Sequence, residues 1–316
     1  MRALITGASG FAGTWLCREC AAAGDDVVAL SRRGSSGAAD ADRIAVDLRD
    51  GDAVAAAVAS SRPEVVYHLA ALTSVGRSWS EPARTVADND LIAVNVLEAL
   101  RTEAPDALVV WVSSCEVYGD PESLPIHEDA RLSPANPYAV SKAAGEMLAE
   151  VYRTAYGLRI LRARPFSHSG PGQLPIFLLS SLARQAAEGR RAGVGELQIV
   201  IGNPDTRRDF TDVRDIVRGY RMLAETQAAD GEVVNVSSGM SISAGDQVAL
   251  LARLLEPITV EQVVDPARVR AREVMDLRGD PSRMRALTGW EPRIPLQQTM
   301  VDTIEWWERE LAGAPA

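Results

Sequence analysis

The chain opens with Arg2-Ala-Leu-Ile-Thr6-Gly7-Ala-Ser-Gly10-Phe-Ala-Gly13, an apolar run followed by glycines at G-x-x-G-x-x-G spacing. A helical stretch follows and closes near Gly24. Strand, glycine loop and helix in this order are typical of a nucleotide-phosphate cradle, because glycine lets the backbone approach a pyrophosphate and a helix N-terminus offers N–H donors. The pattern predicts a dinucleotide cofactor bound by this loop, through Gly7, Ser9, Gly10, Phe11, Ala12 and Gly13.

Strand-like and helical runs alternate beyond this loop. Strands are predicted at 2–6, 26–30, 43–47, 65–70, 108–113 and 158–163, and helices at 11–23, 51–61, 83–103 and 137–156. Such alternation predicts an α/β fold with a Rossmann-type, doubly wound parallel sheet. We expect residues 1–165 to form the cofactor-binding domain, with later returns near 210–240 and 280–300. Residues 166–316 are expected to form a smaller, partly interleaved substrate-binding portion, with a helix at 176–191, strands at 197–201 and 232–236, and a terminal helix at 296–311.

The residues after the second strand, Ser31-Arg32-Arg33-Gly-Ser-Ser36, predict which cofactor binds. An NAD site usually places an acidic residue there to bind the ribose 2′-hydroxyl. Two guanidinium groups beside small hydroxyls suit a 2′-phosphate instead, so Arg32 and Arg33 favour NADP(H) over a solvated basic turn. Asp47, followed by Leu48, either faces the adenine or is a turn residue at a strand end.

Two polar segments carry candidate catalytic groups. Ser114 and Glu116 follow the fifth strand, and ligands of open parallel sheets bind at the carboxyl ends of strands. Ser114 could hydrogen-bond a substrate oxygen, and Glu116 could act as a base or hold a sugar hydroxyl. Tyr138-Ala-Val-Ser-Lys142 places a phenol and an ammonium on one helix face, just after the helix-starting pair Asn136-Pro137.

The helix N-terminus and the Lys142 charge together predict a Tyr138 pKa below the usual value of about 10. A lowered pKa would suit the phenol to acid–base chemistry near neutral pH. Taken alone, the same spacing fits a surface tyrosine and lysine on an amphipathic helix. The glycine loop, the arginine pair and the serine segment together favour a catalytic pair.

The C-terminal half contributes candidate substrate ligands. A diphosphate needs paired guanidinium groups, and Arg208 and Arg270, the latter three residues before Glu273, are the best candidates. His168, on the loop after the sixth strand, either lines the pocket or is structural. The three histidines are scattered without a carboxylate or thiolate cluster, which argues against a metal site.

Composition excludes several classes of protein. The formal net charge of −10 over 316 residues argues against a nucleic-acid partner. No apolar run reaches membrane-spanning length, and the first strand begins at residue 2 with no signal peptide before it, so we expect no membrane association. The three cysteines are few enough to suit a reducing cytoplasm, where we expect the protein, and Cys17 and Cys20 are predicted core residues.

The chain resembles extended short-chain dehydrogenases/reductases of the nucleotide-sugar epimerase/dehydratase group along nearly its whole length. The glycine loop, His68-Leu-Ala-Ala71, Ser113-Ser114 and Tyr138-x-x-x-Lys142 fall in family order. Within the group it is most similar to GDP-4-keto-6-deoxy-mannose reductases. That likeness rests on Ala163-Arg-Pro-Phe166, Gly170-Pro-Gly-Gln173, Arg208-Asp-Phe-Thr-Asp-Val213, Asp265-Pro-Ala-Arg268 and Thr288-Gly-Trp-Glu-Pro292.

The resemblance implies a role for each matching position. Ser114 would hydrogen-bond the reacting sugar oxygen, Tyr138 would donate a proton, and Lys142 would bind the nicotinamide ribose. Leu69, Ala70 and Ala71 would contact the cofactor. Ser167, His168 and Gln173 would contact substrate, Arg208 and Arg270 its diphosphate, and Glu273 the nucleotide ribose. Related enzymes dimerise through two long helices, here about 83–103 and 137–156.

Two departures bear on the reaction. The family loop usually reads Pro-Phe-Asn, and here Ser167 replaces the asparagine. Dehydratases of the group use a glutamate, as at Glu116, with an acidic or polar neighbour, and here the neighbour is Cys115. The leading hypothesis is NADPH-dependent reduction of the 4-keto group of a nucleotide-linked 6-deoxy sugar, with GDP inferred from the resemblance. The alternatives are a 4,6-dehydratase or epimerase with bound NADP(H), and a redox-sensing binding protein without chemistry.

Overall fold

The apolar runs in the first half of the sequence form the strands that they predict. The structure is a computed structural model that describes residues 1–34, 41–226, 230–269 and 273–313. Its strands are β1 (Arg2–Thr6), β2 (Asp26–Ser31), β3 (Asp42–Ala45), β4 (Val65–His68), β5 (Leu108–Val112), β6 (Arg159–Pro165), β7 (Ser167–Ser169), β8 (Glu196–Ile201), β9 (Arg207–Asp212), β10 (Val233–Val236), β11 (Ser241–Ser243), β12 (Thr259–Val264) and β13 (Asp276–Leu277).

The helices alternate with these strands. They are α1 (Phe11–Ala22), α2 (Gly51–Ser61), α3 (Val75–Ser80), α4 (Pro82–Glu103), α5 (Pro137–Tyr156), α6 (Leu178–Ala192), α7 (Val213–Glu225), α8 (Ala244–Leu255), α9 (Ser282–Thr288) and α10 (Leu296–Gly313), with a short 3₁₀ helix at Cys115–Tyr118 and another at Pro266–Arg268. In the described ranges, no helix combines the length and the apolar character needed to cross a bilayer.

A parallel sheet of seven strands, in the order β10-β6-β5-β4-β1-β2-β3, forms the centre of the molecule. Its central strands are buried on both faces because helices cover both sides, as continuous apolar runs such as Leu108–Val112 predict. The Rossmann-type fold predicted from the alternation is therefore confirmed. The seventh strand comes from residues 233–236, so the chain returns to this sheet after leaving it.

Helices cover the two faces of the sheet in different ways. On one face, Leu16 of α1 packs with Tyr220 of α7, and Cys17 and Cys20 are fully buried in the same core. On the other face, α2, α4 and α5 pack against the strands, for example through Leu97 and Ala149. The strong burial of α4 and α5 against the sheet fixes the direction in which α5 presents its N-terminal residues.

The rest of the chain forms a smaller unit. Strand β9 pairs with β7, β11 and β13, and β8 pairs with β12, while α6, α8 and α10 enclose a separate apolar core. The pairing of β7 with β9 matters for the site, because β7 follows β6 of the central sheet with one residue between them. The division into a cofactor-binding and a substrate-binding portion at residue 165 stays a prediction.

Candidate functional site

The glycine loop folds back on itself too closely for side chains at two of its positions. Gly7 has a φ of +71°, and a Cβ there would lie 3.0 Å from backbone atoms of Ala70. A Cβ at Gly13 would lie 2.1 Å from the Gly7 carbonyl oxygen. Helix α1 begins after Gly10 with no side-chain cap and no acidic residue in its first turn. Its first N–H groups are therefore directed at a site that suits a phosphate.

The predicted cofactor segment 69–71 lies directly beside this loop. The Thr6 hydroxyl accepts hydrogen bonds from the backbone N–H groups of Leu69 and Ala70, both at 3.2 Å, and lies 3.0 Å from Nδ1 of His68. Burial lowers the pKa of His68 to about 3, with a smaller effect of the Lys142 charge, so His68 is a neutral structural residue. The loop after β4 thus holds the glycine loop in place.

The predicted 2′-phosphate ligands lie at the end of β2. Arg32 and Arg33 are exposed, and Ser35 and Ser36 lie outside the described residues. The pKa of Asp47 falls to about 2, because Arg49 donates to its carboxylate through side chain and backbone, with a smaller effect from the Arg32 charge. That coupling places Arg32 near Asp47. The Leu48 side chain is buried in the core below the sheet.

Ser114, Glu116 and Tyr138 come together at the carboxyl end of β5. Ser114 follows β5 and forms a side-chain hydrogen bond with Tyr138, which lies in the first turn of α5. The Ser114 Oγ also accepts the backbone N–H of Glu116 at 3.2 Å. The carboxylate of Glu116 is close enough to influence the Tyr138 phenol. Three of the predicted catalytic residues are therefore neighbours in space.

The Tyr138 pKa departs from the sequence-based prediction. Burial raises the pKa of Tyr138 above its ordinary value, the Ser114 hydrogen bond lowers it, and the charge of Glu116 adds to the rise. This direction is opposite to the one that the helix position and Lys142 predict. The reason is that sequence spacing reveals the cation but not the burial of the phenol, which disfavours the phenolate. The prediction of a lowered pKa was wrong.

Lys142 is buried one turn after Tyr138 on the same helix. Its Nζ donates a hydrogen bond to the backbone carbonyl of Val112 at 2.5 Å. Burial lowers the pKa of Lys142 to about 8, while the charge of Glu146 opposes that fall. The Lys142 ammonium therefore lies at the last residue of β5, beside the serine segment. At this edge of the sheet it could donate a hydrogen bond to a bound cofactor.

A buried ion pair fixes α5 to the sheet. Arg164 of β6 donates to both carboxylate oxygens of Glu146 at 2.7–3.1 Å, and both side chains are almost fully buried. The same guanidinium donates to the Tyr118 hydroxyl and to the Glu128 carbonyl, each at 2.9 Å. Glu146 lies one turn beyond Lys142, so this network holds the helix that carries both Tyr138 and Lys142. This network was not predicted from the sequence, although Lys142 and Glu146 are spaced for one helix face.

Cys115 and Glu116 differ sharply in environment. Cys115 is buried in an apolar cluster with Val117 and Phe166, and burial raises the pKa of its thiol. Glu116 is half-buried, and its Oε2 accepts a hydrogen bond from Nδ2 of Asn136 at 2.9 Å. The thiol is therefore a packed, protonated group, whereas the carboxylate faces the site.

The strand β7 brings predicted substrate ligands to the glycine loop. The His168 ring stacks on Phe11 with centroids 6.1 Å apart and an interplanar angle of 6°. Its Nδ1 lies 3.0 Å from the Phe166 carbonyl, and burial lowers its pKa, so the imidazole is neutral. Ser167 is half-buried in the same strand. Sequence spacing alone gave no signal for the Phe11–His168 contact, which joins residues far apart in the chain.

Gln173 is engaged within its own loop. Its amide nitrogen donates to the His168 carbonyl at 3.0 Å, and its amide oxygen accepts from the Ser169 hydroxyl at 2.5 Å. These bonds close the turn after β7, and the side chain is buried. A direct contact of Gln173 with substrate stays a prediction.

Of the two arginines predicted to bind a diphosphate, the structure describes Arg208. The half-buried Arg208 donates hydrogen bonds through Nη1 to the carbonyls of Arg207 and Val274, at 2.7 and 2.9 Å. It is close enough to Cys115 for its charge to oppose the rise in the pKa of that thiol. Glu273 accepts a hydrogen bond from Nδ2 of Asn203 at 2.6 Å. Arg270 lies outside the described residues. Among the described residues, no three His, Cys, Asp or Glu side chains gather to form a metal site.

Comparison with known proteins gives consistent matches along the chain. A family model described as GDP-mannose 4,6 dehydratase matches residues 4–303. The chain is 39% identical to GDP-6-deoxy-D-mannose reductase of Pseudomonas aeruginosa over 249 residues, which cover 78% of this chain and 81% of that protein. It is 30% identical to UDP-glucose 4-epimerase of Mycolicibacterium smegmatis, covering 98% of this chain and 99% of that one.

A solved structure extends this similarity to three dimensions. RMD from Pseudomonas aeruginosa in complex with NADPH matches with a TM-score of 0.85 at 33% identity, covering 98% of this chain and all of that one. The match spans both the central sheet and the smaller unit, so the two proteins share the fold.

Proposed function

Because the chain belongs to the GDP-mannose 4,6 dehydratase family of nucleotide-sugar-modifying enzymes, within the extended short-chain dehydrogenases/reductases, we propose a specific reaction for it. The reaction is NADPH-dependent reduction of the 4-keto group of a GDP-linked 4-keto-6-deoxy-hexose. The observation that carries the proposal is the hydrogen-bonded pair of Tyr138 and Ser114 at the carboxyl end of β5, beside the glycine loop.

The protein groups of this site suit a reduction. NADPH, when bound, supplies the hydride that the carbonyl carbon accepts. The raised pKa of Tyr138 keeps the phenol protonated near neutral pH, which is the form needed to donate a proton to the carbonyl oxygen. Ser114 offers a second hydroxyl to the same oxygen. Lys142, charged below about pH 8, places a cation behind the phenol and near the nicotinamide ribose.

We also propose NADP(H) rather than NAD(H). The glycine loop and the uncapped start of α1 suit a pyrophosphate, as their geometry indicates. The exposed Arg32 and Arg33 at the end of β2 offer two guanidinium groups where an acidic residue would serve NAD. The matched RMD structure contains NADPH, which supports the same choice here.

We propose that the substrate binds beside the paired strands β7 and β9, on the side of the serine segment. Arg208 still has donors beyond the Nη1 that it commits to the backbone, and it is near Cys115 and thus near the reacting groups. A guanidinium in this part of the site suits the diphosphate of a nucleotide sugar. The 39% sequence identity to GDP-6-deoxy-D-mannose reductase of Pseudomonas aeruginosa supports guanine as the base.

A 4,6-dehydratase or epimerase is the second candidate. The half-buried Glu116 carboxylate beside Tyr138 favours dehydration, and the family description and the epimerase relative point to these reactions. The buried Cys115 argues against dehydration. A protonated thiol packed among apolar side chains is poorly placed to protonate a leaving hydroxyl.

Incubation with two substrates separates these candidates. The protein is mixed with NADPH and either GDP-mannose or its 4-keto-6-deoxy derivative, and the sugar products are analysed. We expect NADPH oxidation in proportion to product with the keto sugar, and no reaction with GDP-mannose. Conversion of GDP-mannose to a keto sugar without net NADPH oxidation would instead establish the dehydratase.

The assembly and location of the protein are further proposals. We propose a homodimer formed through α4 and α5, whose outer faces carry exposed apolar side chains. We propose the cytoplasm as its location, because Cys17, Cys20 and Cys115 are buried thiols and none of them forms a disulfide.

A further inference from the structure

Asn136 contacts two parts of the site with two different atoms. Its Oδ1 accepts the backbone N–H of Ala139 at 2.8 Å, which caps α5. Its Nδ2 donates to Oε2 of Glu116 at 2.9 Å. Serine and aspartate cap helices as well as asparagine does. Only asparagine among these presents an acceptor to the helix and an N–H donor to a second group on separate atoms.

These bonds complete a ring around the reacting hydroxyls. Glu116 donates its backbone N–H to the Ser114 Oγ, and Ser114 hydrogen-bonds Tyr138, which lies two residues after Asn136. The two links made by Glu116 span 2.9 Å to Asn136 and 3.2 Å to Ser114. Asn136 itself is buried, so its amide is not free to exchange this partner for bulk water.

The chemistry of the donor decides what the ring does to Glu116. An amide N–H is a neutral donor, so it holds a carboxylate oxygen and leaves the negative charge in place. A lysine or arginine would neutralise that charge. A negative charge held beside the Tyr138 phenol disfavours phenolate formation. The proton thus stays on the phenol until a substrate oxygen develops negative charge.

We propose that Asn136 is a positioning residue that holds the Glu116 carboxylate at a fixed place beside the Ser114 and Tyr138 hydroxyls. The proposal rests on the reductase function proposed above. It adds a residue that acts through Glu116 and through the start of α5, without touching substrate.

Asn136→Ser tests the proposal, because serine keeps the helix cap and removes the amide donor. We expect kcat for the keto sugar to fall about tenfold or more, as misplaced groups commonly cause. The KM for NADPH and the thermal midpoint should stay unchanged. In a Glu116→Ala background the same substitution should have almost no further effect, since there is no carboxylate to hold. Equal kcat in Asn136→Ser and the parent would overturn the proposal.

Asp50→Ser is the matched control. Asp50 caps α2 by accepting the backbone N–H of Ala53 at 3.1 Å, so the substitution exchanges one cap for another away from the serine segment. We expect parental kcat in this variant.

A crystal structure of Asn136→Ser provides a readout that needs no substrate. We expect the Glu116 carboxylate to leave the place it occupies beside Asn136. An unchanged carboxylate would overturn the positioning role even if the parent proved inactive on keto sugars. An inactive parent with a displaced carboxylate would contradict only the proposed reaction.

Discussion

Tyr138 shows how burial outweighs a nearby cation. The phenol lies one turn from Lys142, yet burial and the Glu116 charge raise its pKa. The Lys142 ammonium donates a hydrogen bond to the Val112 carbonyl. For a reduction this balance is favourable, because the enzyme needs a protonated phenol at the moment when the carbonyl oxygen gains charge.

The phenolic hydroxyl should be essential for turnover. We expect Tyr138→Phe to lower kcat by about a hundredfold or more, the usual range for a lost proton donor, without weakening NADPH binding. Steady-state kinetics and fluorescence titration with NADPH measure the two quantities. Tyr156→Phe is the control, because Tyr156 is an exposed tyrosine at the other end of the same helix. Substantial activity in Tyr138→Phe would remove the proposed proton donor.

The charge of Lys142 should set the alkaline limit of activity. Below its pKa of about 8 the amine is charged, and the charge is lost as pH rises through that value. We expect kcat/KM for NADPH, which reports the free enzyme, to fall above about pH 8.

The same pKa shift affects stability. The pKa of Lys142 in the folded state lies below its ordinary value, so between about pH 8 and pH 10.5 the folded state binds fewer protons than the unfolded state. The contribution of Lys142 to stability therefore rises with pH over this range.

Above pH 8, kcat/KM should therefore fall while the contribution of Lys142 to stability rises. A loss of activity caused by deprotonation of Lys142 can thus be distinguished from a loss caused by unfolding. Circular dichroism at each pH provides the check. A kcat/KM that stays level to pH 9.5, about one and a half units past this pKa, would show that Lys142 is not the controlling group.

The two arginines after β2 should decide between cofactors. We expect Arg32→Ala with Arg33→Ala to weaken NADPH about a hundredfold and to leave NADH nearly unaffected, because only NADPH has the 2′-phosphate. Isothermal titration calorimetry with both cofactors measures this. Arg253→Ala, at an exposed position on α8, should change neither affinity. An equal loss for NADPH and NADH would argue against 2′-phosphate recognition.

At the scale of elements, the glycine loop depends on one close contact. A Cβ at Gly13 would lie 2.1 Å from the Gly7 carbonyl oxygen, so the start of α1 would have to move away from the loop. We expect Gly13→Ala to weaken NADPH binding at least about tenfold and to lower stability by about 1–3 kcal/mol. Thermal unfolding and NADPH titration test both expectations.

Gly195 provides the comparison for this substitution. A Cβ there meets no atom within 4 Å, so Gly195→Ala should behave as the parent does. If Gly13→Ala binds NADPH as tightly as Gly195→Ala, the cradle is not formed by the close packing of Gly7 on Gly13.

Elements with continuous apolar runs could be predicted from the sequence, and those with distant partners could not. Strands β1, β4 and β5 are buried by helices on both faces, so their composition alone identifies them. Strand β9 reads Arg-Arg-Asp-Phe-Thr-Asp, which resembles a loop. It is a strand because β7, β11 and β13 hydrogen-bond to it, and local sequence does not contain that information.

The same limit applies to the site. Tyr138 and Lys142 are close in sequence, so helix geometry predicts that they share a face. Ser114 could be placed with them because parallel strands end at one edge of the sheet. The bond between Asn136 and Glu116 and the stack of Phe11 on His168 could not be predicted, because each joins segments that only the folded chain brings together.

At the scale of the whole molecule, one outer face remains apolar. Four large non-aromatic apolar side chains on α4 and α5 are between 44% and 61% exposed: Leu91, Val140, Met147 and Val151. The three on α5 are spaced i, i+7 and i+11, which places them on one side of the helix. Exposed apolar surface of this kind usually marks an interface. The opposite side of both helices packs on the sheet, so a partner would leave the site elements undisturbed.

Disrupting this apolar face should produce a folded monomer. Most homo-oligomers use a two-fold axis that places the same patch against itself, so Met147→Glu would bring two carboxylates together at or near that axis. We expect the parent to elute at twice the chain mass in size-exclusion chromatography with light scattering, and Met147→Glu to elute as a monomer with an unchanged circular dichroism spectrum. Met240→Glu, at an exposed position between β10 and β11, should remain dimeric. A parent that is monomeric at high concentration, or a Met147→Glu variant that stays dimeric, would show that α4 and α5 do not form the interface.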